Sequence, residues 1–80
     1  SIARCIYTYI PESGTIDFYC DGIGNAEFYL VDQSGCTIDH VRFNSNMTHH
    51  ITLQLPDSSG IYYINLWSDT HYGEAMLIIE

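Results

Sequence analysis

Ile51-Thr52-Leu53-Gln54-Leu55, followed by Pro56-Asp57-Ser58-Ser59-Gly60 and then Ile61-Tyr62-Tyr63-Ile64-Asn65-Leu66-Trp67, is the stretch that decides the fold. Successive side chains of a strand point to opposite faces. The first segment therefore sends Ile51, Leu53 and Leu55 inward and Thr52 and Gln54 outward. The third repeats the pattern, with Tyr62, Ile64 and Leu66 set against Tyr63, Asn65 and Trp67. Between them, Pro56 restricts φ and Gly60 tolerates unusual backbone angles, which marks a turn.

Working outward, the same period of two recurs, with turn residues every eight to twelve positions. Towards the N-terminus we expect strands near Arg4–Ile10, at Thr15–Asp21, at Ala26–Asp32 and near Cys36–Phe43. The breaks between them are Pro11-Glu12-Ser13-Gly14, Gly22 to Asn25 and Asp32-Gln33-Ser34-Gly35, and Asn44-Ser45-Asn46 forms the next loop. Towards the C-terminus, Ser68 to Gly73 is a loop and Glu74–Ile79 a last strand. No segment keeps a 3.6-residue period, so no helix is expected. The prediction is one all-β domain over residues 1–80: a seven-stranded, immunoglobulin-like antiparallel β-sandwich.

Eighty residues bury only about 60–65% of the surface that the unfolded chain exposes, so a covalent staple would matter. The chain has three cysteines. If the first hairpin centres on Glu12-Ser13, residues whose numbers sum to 25 face one another. Ile10 then meets Thr15, Tyr9 meets Ile16, Tyr7 meets Phe18, and Cys5 meets Cys20. Cross-strand Cβ spacing is close to what a disulfide needs. Opposition of Cys5 and Cys20 is therefore expected, with a disulfide and a pair of buried thiols both open. Cys36 follows a turn glycine and reads as unpaired, and no known signature of a nucleophilic cysteine surrounds it.

The formal charge is −8, with Arg4 and Arg42 the only Lys or Arg residues. Phosphate neutralisation needs far more cationic charge, which excludes nucleic acid as a partner. No apolar run approaches the roughly 18–20 residues that span a bilayer, so no membrane insertion is expected. The chain opens on Ser1 rather than Met, from which we expect a processed or trimmed product whose signal segment lies elsewhere. His49 and His50 would point to opposite faces of a strand and cannot chelate one ion together. The remaining pairing of His71 with Asp69 lacks the spacing of a zinc site. The carboxylates lack a cleft-like context, and neither a phosphate loop nor a nucleophile elbow is present. We expect no enzyme, no cofactor and no metal.

From about Thr15 onward the layout resembles a family of small secreted Bacteroidetes domains of unknown function with an immunoglobulin-like sandwich fold. The matching features are Val31-Asp32-Gln33-Ser34-Gly35, Ile51-Thr52-Leu53-Gln54-Leu55-Pro56, Gly60-Ile61-Tyr62-Tyr63-Ile64, and Tyr72-Gly73 before the last strand. The Gly-x-Tyr-x-apolar strand is also similar to the C-terminal sorting domains of Bacteroidetes surface proteins. The resemblance implies a secreted, periplasmic or cell-surface location and carries over no catalytic residue. Antibody domains differ: Ile64 stands where they have a cysteine, and the one tryptophan, Trp67, is not in their buried position. A tyrosine corner at Tyr62 is retained, its hydroxyl bonding back to the preceding turn. That makes Tyr62 structural.

The surplus is aromatic. Parity sends Tyr29, Tyr63 and Trp67 outward on strands that neighbour each other in an immunoglobulin topology. Exposed Tyr and Trp are favoured contact residues. The expected function is a non-catalytic secreted or surface interaction module that binds protein or glycan through this stripe, with loop residues Asp69, His71 and Tyr72. The alternative is a structural spacer or sorting-type domain with no ligand. An edge-strand homodimer through the first or last strand is a further expectation.

Overall fold

In a computed structural model, which describes residues 4–80, the first two strands, β1 (Arg4–Ile10) and β2 (Thr15–Asp21), pair antiparallel. Their register sets Ile10 opposite Thr15, Tyr7 opposite Phe18 and Cys5 opposite Cys20. The connection is one turn of 3-10 helix, Pro11–Ser13. Gly14 ends it at φ 68°, a left-handed conformation that costs glycine little, and its N–H donates to Pro11 O.

The remaining strands are β3 (Asn25–Asp32), β4 (Thr37–Asn44), β5 (His50–Gln54), β6 (Gly60–Ser68) and β7 (Tyr72–Ile79). They form two antiparallel sheets, one ordered β1-β2-β5 and the other β4-β3-β6-β7. The protein is an all-β sandwich of seven strands. The strands at Ala26–Asp32 and Ile61–Trp67 are neighbours, as expected. β4 stays beside β3, whereas a constant-type immunoglobulin domain sends its fourth strand to the other sheet.

The hairpin between β3 and β4 accounts for that choice. The Asp32 carboxylate accepts bonds from Ser34 N at 2.9 Å, Ser34 Oγ at 2.7 Å and Cys36 N at 2.9 Å. A turn closed by its own side chain commits the next strand to the same sheet. These bonds also hold the Asp32 carboxyl below its ordinary pKa, with the Ser34 side chain the largest cause.

The core lies where the alternation predicts. Ile16, Phe18 and Cys20 of β2, with Ile51 and Leu53 of β5, face Ala26, Phe28 and Leu30 of β3 and Ile64 of β6. Phe18 and Phe28 meet across the sandwich with ring centroids 4.3 Å apart. Fully burying such a side chain contributes about 1.5–3 kcal/mol. Leu53 and Leu30 are wholly enclosed. Tyr62 is buried, and its hydroxyl donates to Ser58 O at 2.8 Å, which is the tyrosine corner.

Of three further details, the first departs from the sequence reading and the other two add to it. Tyr72 is the first residue of β7, not a loop residue, because the β6–β7 ladder continues until Trp67 faces Tyr72. Tyr7 tilts against Phe18 at 5.9 Å yet stays 55% exposed, since β1 is a sheet edge with cover on one side only. Ser45, read as part of a loop, is fully buried; its Oγ accepts from Ile23 N and its N–H donates to Gly24 O. It ties the β2–β3 crossover to the β4–β5 crossover. Among the described residues no helix is long and apolar enough to cross a membrane.

Candidate functional site

The outer face of the four-stranded sheet carries the aromatic residues. Across β3, β6 and β7 the register sets Glu27 beside Trp67 and Trp67 beside Tyr72. The next row is Tyr29, Asn65 and Glu74, and the one after it Val31, Tyr63 and Met76. All point away from the core by parity. The anticipated stripe of Tyr29, Tyr63 and Trp67 is therefore broken by Asn65. Four residue steps of strand separate Tyr63 from Trp67, roughly 13 Å.

Two groups result. Trp67 and Tyr72 pack with ring centroids 4.4 Å apart, both more than half exposed. Tyr63 sits instead in an apolar row with Val31 and Met76, beside exposed Ile78 on the free edge of β7. The alternation of side chains brings Tyr72 to its partner; the loop reading had left it unplaced.

Beside Trp67 lies a charged cluster that the sequence reading missed. Glu27 accepts from Arg42 Nε at 2.6 Å, and its Oε1 is 3.1 Å from His40 Nε2. Tyr29 lies flat on His40, with ring centroids 4.2 Å apart and planes 10° apart, and its hydroxyl donates to Glu27 Oε2 at 3.3 Å. The Arg42 guanidinium holds the Glu27 carboxyl below its usual range, partly opposed by burial. A signal for this was present in the chain. Once β3 and β4 form a hairpin, Glu27 pairs with Arg42 and Tyr29 with His40.

Two open clefts border Trp67. One, of about 470 Å³, is lined by Asn25, Glu27, Arg42, Phe43, Ser68 and Asp69 with Trp67. The other, of about 370 Å³, is lined by Glu27, Tyr29, Val31, Thr37, Asn65 and Trp67. Asp69 thus joins the site from the β6–β7 loop. His71 does not line either cleft; its N–H donates to Ser68 Oγ and its Nδ1 lies 2.7 Å from Thr70 Oγ1, so it braces the loop. Asn65 Oδ1 is enclosed and has no hydrogen-bond partner among the described residues.

The opposite sheet repeats part of this chemistry. Asp17 accepts from Thr52 Oγ1 at 2.6 Å and lies 2.9 Å from His50 Nε2, while Tyr19 stacks on His50. The Thr52 hydroxyl donates to the carboxylate and also lies 3.4 Å from His50 Nε2. A hollow of about 570 Å³ lined by Ile6, Tyr19, Cys20, Asp21 and His49 adjoins this group and shares Tyr19 with it. No group of three or more His, Cys, Asp or Glu side chains gathers around a metal-sized space among the described residues.

Cys5 and Cys20 form a disulfide, and Cys36 is an exposed free thiol. No protein-family model and no curated protein matches the chain.

Proposed function

We propose that this chain is a non-catalytic interaction module, secreted or displayed at a cell surface, that binds protein or glycan through the outer face of its four-stranded sheet. The observation that carries the reading is the Trp67–Tyr72 pair, two exposed rings in mutual contact beside open clefts. Rings held against each other lose little freedom on binding and offer a large contact area. The disulfide supports an oxidising compartment, the setting in which small domains use such staples.

The test is a glycan array and affinity capture with the wild-type chain, Trp67→Ala and Tyr63→Ala. Trp67→Ala is expected to lose most binding and Tyr63→Ala little, since the two residues belong to separate groups. Trp67 is exposed, so its removal leaves the core intact, and a thermal melt checks this. Unchanged binding by folded Trp67→Ala removes the face from consideration.

A further inference from the structure

We infer that the ligand of this face is a neutral oligosaccharide, laid along β3 with one ring stacked on Trp67. The inference rests on the reading of the aromatic face as a binding surface and adds the chemical class. Four observations carry it.

The two clefts share Glu27 and Trp67, so they are halves of one trough. The lining follows β3 from Asn25 to Val31, about 20 Å of extended chain. Such a trough fits an internal stretch of a linear polymer better than a single sugar.

Trp67 stands between the halves with Tyr72 against it on the far side, away from β3. The indole is thereby supported while remaining 52% exposed. A fixed aromatic face suits the C–H face of a pyranose, which is flat and apolar, whereas a peptide side chain needs a pocket. Of the apolar row that would serve a peptide, Val31 borders the trough, while Tyr63 and Met76 are not among its lining residues.

The polar lining matches hydroxyl groups, which both donate and accept. Arg42 commits Nε to Glu27, yet its side chain is 79% exposed and its terminal nitrogens still face solvent. The Asn25 carbonyl accepts from Asn44 at 2.8 Å, which leaves the Asn25 amide hydrogens as donors. Asp69 supplies an exposed acceptor at the rim.

The charges select a neutral sugar. Glu27 and Asp69 outnumber Arg42 in the lining, and Arg42 is already paired. The whole chain carries −8. A uronic or sialic acid would be repelled at long range and meet in the trough only Arg42, whose charge Glu27 already offsets.

Trp67 is the only tryptophan, so its fluorescence reports from the site alone. The probes are cellohexaose, xylohexaose, mannohexaose and laminarihexaose, with hexagalacturonate as the acidic counterpart. At least one neutral hexasaccharide is expected to shift Trp67 emission saturably, and hexagalacturonate at equal concentration is not. Asp69→Asn and Arg42→Gln are expected to weaken that binding about tenfold, while Tyr19→Ala on the opposite sheet leaves it unchanged. No response to any neutral probe, or equal binding of the galacturonate, overturns the inference. If a protein captured by the wild type is lost by Trp67→Ala while no sugar responds, the sugar assignment falls and the binding face stands. If neither sugar nor protein depends on Trp67, both fall.

Discussion

Cys5 and Cys20 stand opposite each other at a non-hydrogen-bonded position of the β1–β2 ladder, with Cα atoms 4.1 Å apart. The Cys20 N–H donates to His49 O, beyond the end of β5, and so cannot serve β1. Its carbonyl also faces that side, 3.3 Å from His49 Nδ1. Antiparallel pairs of this kind bring side chains closest, which puts the two sulfurs within bonding reach of each other.

The first prediction concerns that bond. Closing a loop with a sequence separation of 15 should stabilise the fold by about 3 kcal/mol. Reduction, or the double substitution Cys5→Ala with Cys20→Ala, should lower the denaturant midpoint accordingly. Alkylation of the denatured chain followed by mass measurement gives the direct check. One thiol, Cys36, is expected to react before reduction and three after it. Three before reduction would refute the bond.

Tyr62→Phe keeps the buried ring and removes only the hydroxyl that reaches Ser58 O. The expected cost is about 1 kcal/mol, read from urea unfolding with an unchanged slope. A variant as stable as the wild type would show that the corner is ornamental.

Ser45→Ala removes the acceptor of the Ile23 N–H in a fully buried setting. The expected destabilisation is about 1–3 kcal/mol, larger than for an exposed serine, because the orphaned N–H loses water as well as its partner. Amide hydrogen exchange should speed up at Ile23. Unaltered protection there would mean that the two crossovers hold together without this bond.

Asp32→Asn tests the turn through its pH dependence. The folded pKa of Asp32 is depressed, so the ionised group stabilises the fold above its unfolded pKa of about 4. That contribution is lost as the pH falls further, through the lower folded value. Melts from pH 6 to pH 2 should therefore show the wild type ahead at pH 6 and the gap closing towards pH 2. Asp17 and Glu27 are depressed too, but they are present in both proteins and cancel in the difference. A gap independent of pH would remove the carboxylate from the turn's stability.

Much of the fold was legible in the chain because its causes are local. The alternation of Ile51, Leu53 and Leu55, and of Tyr62 and Ile64, needs only the period of an extended backbone to be read as inside and outside. The opposition of Cys5 and Cys20 follows from counting back from one turn. Tyr72 was misread because its strand character comes from pairing with Trp67 rather than from its own neighbours in sequence.

The binding face was half legible. Parity correctly sent Tyr29, Tyr63 and Trp67 outward, but it could not say that Asn65 divides them or that Glu27 and Arg42 sit beside the indole.

Local chemistry determined which segments are strands, where they turn and which side chains are buried, because a period of two and a few Gly, Pro and Asp positions act over one or two residues. Tertiary structure alone decided that Trp67 leans on Tyr72 and that a trough opens between Asp69 and Tyr29. Those are contacts between residues far apart in the chain, set by how two sheets stack and by which edges remain uncovered. Alternation along a single strand is silent about them.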